Sequence, residues 1–174
     1  MEIYGYKCFY SDGKNRYGKD IVIGKIYSTD KKIRYGNNGH GYHFCERLED
    51  TFRFFTSDES GLCENICICM VRGFGEIHER LEDRVVEMDD GYYGLYACQN
   101  LEIIRVLSRK EIIDYGLNLC SKRAVRFVSL LKLNSDEIEE FKDKFRNNQS
   151  VIDAIYYYQL KDLDLYNRKY KIKH

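Results

Sequence analysis

The sequence predicts an α+β protein: an N-terminal, mainly antiparallel sheet with one packed helix, followed by a small cluster of C-terminal helices. Three observations lead there. Short β-branched and aromatic runs separated by Gly, Asn and Asp turns fill residues 1–108. The apolar period then changes from two to between three and four. Two capping boxes, Ser108-Arg109-Lys110-Glu111 and Asn134-Ser135-Asp136-Glu137, fall within that later stretch. Residues 1–108 are therefore expected to form a strand-rich domain, with 109–174 as a helical extension packed on it.

In the first part, Tyr4, Tyr6, Cys8 and Tyr10 share one face of an opening strand. Ile21–Ile23, Lys25–Tyr27 and Lys32–Tyr35 read as hairpin strands around Ser28-Thr29-Asp30-Lys31. Gly36-Asn37-Asn38-Gly39-His40-Gly41 is loop chemistry, and Tyr42–Cys45 leaves it extended. Leu48, Phe52 and Phe55 then fall at helical spacing over residues 46–55, with Glu46, Glu49, Asp50 and Arg53 largely on other faces. Ile66–Val71 is apolar on both faces, as a buried strand requires. Gly73-Phe74-Gly75 reads as a turn, Ile77-His78 and Val85–Met88 as short strands, Asp89-Asp90-Gly91 as a turn, and Leu101–Leu107 as the last strand.

In the second part, Gly116 stands where a helix C-cap is expected. Ser121 is placed to cap a helix carrying Ala124, Val125, Val128 and Leu131. Asn134 opens a helix with the stripe Ile138, Phe141 and Phe145, and Ser150 is placed to cap a last one with Val151, Ile155 and Tyr158 in line.

Lys plus Arg equals Asp plus Glu at 28 each, so no overall field steers the chain toward nucleic acid or an anionic membrane. Residues up to 108 hold 14 basic and 18 acidic side chains and the remainder 14 and 10, too small a split to imply a nucleic-acid partner. No apolar run approaches membrane-spanning length, and the N-terminus has neither the charged nor the apolar region of a secretory signal. Seven cysteines, an odd number, read as free thiols in a reducing compartment, so a cytoplasmic location is expected. Proline is absent, which fits an AT-rich coding sequence and points toward a low-GC bacterium or its phages.

The segments Tyr6-Lys7-Cys8-Phe9, Val22–Tyr27, Gly41-Tyr42-His43-Phe44-Cys45-Glu46 and Leu48-Glu49-Asp50 resemble an uncharacterised domain family of bacteriophages and prophages. That family follows a lysine-glycine-phenylalanine opening with a glycine-phenylalanine-histidine-phenylalanine-cysteine-glutamate segment. The resemblance covers residues 4–131 and departs at Cys8, where the family has glycine. It implies a phage or mobile-element accessory protein, and it assigns no reaction.

The residues most able to carry chemistry lie around the glycine-rich loop, because loops on rigid scaffolds are where sites sit. His40, Tyr42, His43 and Cys45 belong to that stretch. The competing reading is that His43 and Cys45 share a buried strand face and pack. A small NAD-using transferase of ADP-ribosyltransferase type would place Gly39, His40 and Tyr42 against the nucleotide. In that reading Tyr42 is the aromatic that stacks on nicotinamide, Glu102 or Glu87 is the carboxylate that stabilises developing positive charge on the ribose, and Lys7 and His40 or His43 are the further catalytic candidates. A metal site from His40, His43, Cys45, Cys63, Cys67 and Cys69 is disfavoured by spacing, since Cys67 and Cys69 sit in an apolar strand instead of on a knuckle turn. Cys45 with His78 as a nucleophile pair has no local support, and no phosphate-binding glycine motif is present. The favoured expectation is a non-catalytic module that binds a protein partner or itself through tyrosine-rich surface, with no cofactor and no metal.

Overall fold

The structure, a computed structural model, describes residues 1–14, 20–34, 40–57, 60–79 and 94–161. They divide into two compact units. The first comprises Met1–Phe55 with Asn65–Leu107, and the second Thr56–Glu64 with the chain from Ser108 onward. The chain is mixed α+β, with a five-strand antiparallel sheet and a short helix before the C-terminal helices.

The sheet is built from β1 (Glu2–Tyr10), β2 (Ile26–Ser28), β3 (Tyr42–Cys45), β4 (Ile66–Glu79) and β5 (Leu95–Val106). β1 pairs with β4 along its whole length, and β4 pairs with β5. The other edge of β5 takes β2 at residues 100–102 and β3 at residues 95–98. β3 returns to β1 through Tyr6 opposite Cys45, so the pairings close a ring. That closure demands a close approach, and Gly5 supplies it: a Cβ there would collide with the Cys45 carbonyl oxygen and lie 2.9 Å from the Phe44 ring. Inside the ring, Phe9, Phe44, Cys69, Val71, Cys98, Leu101 and Ile103 form one apolar cluster.

Several strands differ from the sequence expectation. Gly73-Phe74-Gly75 does not turn the chain: β4 runs through it, with a register irregularity against β5 between Phe74 and Ile77 and Gly75 at φ +84°. β5 begins at Leu95, ahead of the expected Leu101. Of the three expected hairpin strands, Ile26–Ser28 forms one, while 21–23 and 32–34 are in no strand and Tyr35 lies outside the described residues. The Val22 N–H is taken by the Tyr27 hydroxyl at 3.0 Å, and Gly24 reverses the chain at φ +76°, so 21–23 never enters a ladder. Ile33, outside any strand, is fully buried. The expected Val85–Met88 strand, the Asp89–Gly91 turn and the 36–39 part of the glycine-rich loop lie outside the described residues.

The helix expected over 46–55 is one α turn, α1 (Glu49–Phe52). Its Leu48 and Phe52 are buried as the spacing requires. The flanking bonds, Thr51 N–H to Leu48 O and Phe55 N–H to Phe52 O, run three residues back and tighten the chain instead of extending the helix. Glu49 and Asp50, expected away from the apolar face, are only 1% and 2% exposed. The acidic pair is thus interior although it lies off the apolar face.

The second unit holds α2 (Arg109–Leu117), α3 (Ser121–Leu130), α4 (Ser135–Lys144) and α5 (Gln149–Ala154), which passes into a π-helical turn at Ile155–Gln159. Both capping boxes form as expected. Three other caps move by one or two residues. Gly116 lies within α2, where a Cβ would stand 2.7 Å from the Phe127 ring and 2.8 Å from that of Phe141, so it serves helix packing. Cys120, not Ser121, is the N-cap of α3, and Asn148, not Ser150, caps α5 by accepting the Val151 N–H at 3.1 Å. The π turn carries Gln159 to the end of α3. There its amide donates to Val128 O at 2.5 Å and Leu131 O at 2.8 Å and accepts from Leu133 N–H at 3.0 Å, satisfying groups a helix end leaves open.

Glu137 ties this unit together. Its carboxylate accepts from Arg109 Nε at 2.7 Å, Arg109 Nη2 at 2.6 Å and its own N-cap N–H at 2.9 Å, while Arg109 also donates to Lys132 O at 2.7 Å. Burial pushes the Glu137 carboxyl up. The Arg109 hydrogen bonds, the backbone bond at Asn134 and the guanidinium charge outweigh that and hold it below its ordinary value of 4.5. A depressed carboxyl stabilises the fold above its unfolded value, and that contribution fades as pH falls through the folded one. Glu137→Gln is expected to cost about 1.5–3 kcal/mol in urea denaturation at pH 7. The gap from wild type should narrow at pH 3, and an equal gap at both would contradict this account.

Candidate functional site

β3 places Tyr42 and His43 on opposite sides of the sheet, as strand period dictates. Tyr42 packs against the interior cluster beside Tyr27, with ring centroids 6.1 Å apart, and its hydroxyl donates to Ser28 O at 3.0 Å. Burial, then the neighbouring Cys98 and Tyr27, push its phenol above the ordinary value. The Cys98 thiol, at 3.3 Å, donates to Tyr42 O and is itself pushed up to about 12, chiefly by burial. Its sulfur is a protonated interior group at neutral pH.

His43 faces the other way, on the side of its strand partner Ala97. Burial and then the charge of Lys7 lower it to about 4, so the imidazole is neutral at pH 7. Lys7 lies on the interior face of β1 opposite Cys69. Its ammonium donates to the His43 carbonyl oxygen and sits 5.9 Å from the Phe9 ring centroid. That bond falls close to the single β1–β3 pair, where the ladder itself supplies few partners.

Glu102 lies between Leu101 and Ile103, both in the interior cluster, so alternation turns it outward. There it meets Arg72 Nη2 at 2.8 Å, and Arg72 also reaches Glu2 at 3.3 Å. The ladder aligns Tyr4, Arg72, Glu102 and Ile26 in one row across β1, β4, β5 and β2. Arg72 stacks over the Phe74 ring at 5.1 Å. Tyr4 is 48% and Ile26 49% exposed, with Val22 and Ile23 also open to solvent.

The structure therefore does not bring Tyr42, His43 and Glu102 to one point. The positions opposite His43 and beside Arg72 on β5, Ala97 and Glu102, are roughly 15 Å apart along the strand. His40 is exposed, its carbonyl accepting the Arg34 N–H at 3.1 Å. Gly39 and Glu87 lie outside the described residues. Cys45 is buried, and His78 is paired with Glu76 at 2.9 Å on the strand surface. Among the described residues no group of three or more His, Cys, Asp and Glu side chains could hold a metal ion, and no helix is long and apolar enough to cross a membrane.

The outward row is absent from the sequence expectation. Its signal was a lone arginine inside the otherwise apolar 66–74 run, which marks one strand face as outward. Cys67 and Cys69, which share a strand face, bring their sulfurs to 4.0 Å. Comparison of the chain with protein-family models, curated proteins and solved structures gives no match.

Proposed function

We propose that this protein is a non-catalytic protein-binding module, of the phage or prophage accessory kind that its sequence resembles. The outward row Tyr4–Arg72–Glu102–Ile26, with Val22 and Ile23 exposed, is the observation that carries the reading. Tyrosine and arginine beside accessible aliphatic groups are the side chains that dominate binding energy at protein interfaces. The groups that chemistry would need are held differently: His43 is neutral, Cys98 is protonated within the core, and Glu102 is neutralised by Arg72.

A photo-crosslinking residue at position 26, introduced in the cells where the protein works, is expected to give one discrete protein adduct. Tyr4→Ala, a change at an exposed position, should weaken it severalfold, and NAD should leave the melting temperature unmoved. A diffuse adduct pattern indifferent to Tyr4→Ala, or a saturable stabilisation by NAD that Tyr42→Phe removes, would overturn the proposal in favour of the transferase reading.

A further inference from the structure

Cys67 and Cys69 are two residues apart on β4, so the pleat directs both sulfurs to one side, and they stand 4.0 Å apart in thiol contact. They are not equivalent. Cys69 is completely buried, whereas Cys67 is partly open to solvent. Opposite them on β1 are Phe9 and Lys7. Strand rise sets their Cα atoms about 6.6 Å apart, inside but near the upper end of the range a disulfide spans. The bond requires the sulfurs to close by about 2 Å, which shortens the strand locally and makes the product strained and readily reduced.

We propose that Cys67 and Cys69 form a peroxide-reactive dithiol, closing reversibly to a disulfide within β4. Burial, then the neighbouring Cys67, keep Cys69 protonated, and Cys67 is the sulfur open to solvent, so it is the one that peroxide reaches. The Cys67 thiolate attacks one oxygen of hydrogen peroxide. The O–O bond breaks, the hydroxide that leaves takes up a proton as water, and Cys67 becomes a sulfenic acid. Cys69 sulfur then displaces the sulfenic hydroxyl, its own proton leaving with that group as a second water. In sum, two thiols lose two electrons and two protons and one peroxide becomes two waters.

The test treats the full-length protein at neutral pH with stoichiometric hydrogen peroxide. Alkylation under denaturing conditions and mass spectrometry of the tryptic peptide Phe54–Arg72 follow. The expected product has Cys63 alkylated, Cys67 and Cys69 both protected and two hydrogens lost, and excess glutathione restores both thiols. In Cys69→Ser, Cys67 should accumulate as a sulfenic acid trapped by dimedone, and in Cys67→Ser position 69 should remain an unoxidised thiol. Oxidation of Cys67 straight to a sulfinic acid in wild type, or a disulfide from either sulfur to another cysteine, would overturn the proposal.

Discussion

Gly5→Ala is expected to cost about 3 kcal/mol or more, the upper end of what overpacking produces, and to be the most damaging single-methyl change in the first unit. The added carbon meets the Cys45 carbonyl oxygen, a backbone atom with no rotamer through which to retreat, and then the Phe44 ring at 2.9 Å. Phe44 cannot yield freely, because it is buried and stacked on Tyr96 with centroids 5.3 Å apart. Relief therefore has to come from parting β1 and β3, whose ladder amounts to Tyr6 opposite Cys45. Urea denaturation of the variant should show a lower midpoint, and hydrogen exchange should show lost protection at Tyr6 and Cys45 first. A Gly5→Ala protein within 0.5 kcal/mol of wild type, a surface-like value, would mean that the ring does not close there.

The second large effect concerns acid. His43 stands at about 4 in the fold against an ordinary 6.5, through burial and then the Lys7 charge. The unfolded chain binds this proton first as pH falls. The associated stability is therefore complete above about pH 6.5, declines between there and about pH 4, and declines no further below. The full shift corresponds to at most about 3 kcal/mol. His43→Gln should flatten the stability curve across that interval while leaving in place the loss below pH 4.5 that comes from protonation of Glu137. Parallel curves for the two proteins between pH 4 and 6.5 would refute the assignment.

What could be read from the sequence follows the range of the interactions. Both capping boxes were legible because Ser108 with Glu111 and Asn134 with Glu137 complete them within four residues. The Ile138, Phe141 and Phe145 stripe and the Tyr42–Cys45 strand were legible for the same reason. Closure of the ring was not, because it joins Tyr6 to Cys45 across the chain and depends on a glycine with an ordinary neighbourhood in sequence. Gly73 and Gly75 were misread as a turn because a glycine pair in a bulged strand looks the same locally as one that reverses the chain. Gly116 was misread as a cap because the rings that require its smallness, Phe127 and Phe141, belong to other helices. Of the candidate site, residue identities were visible but their facing was not. Glu102 was an acid of unknown orientation until pairing set it beside Arg72.

The way β5 divides its outer edge between β2 and β3 while β4 occupies the inner one has a consequence for solution behaviour. Among the described residues β5 is paired on both flanks over most of its length, whereas β1 meets β3 through the one pair Tyr6–Cys45, and the strand at the β5 margin, β2, is three residues long. So short a border is a poor template for a neighbouring chain to extend by backbone pairing. At that margin, despite its many tyrosines and β-branched residues, the folded first unit should resist amyloid-like stacking.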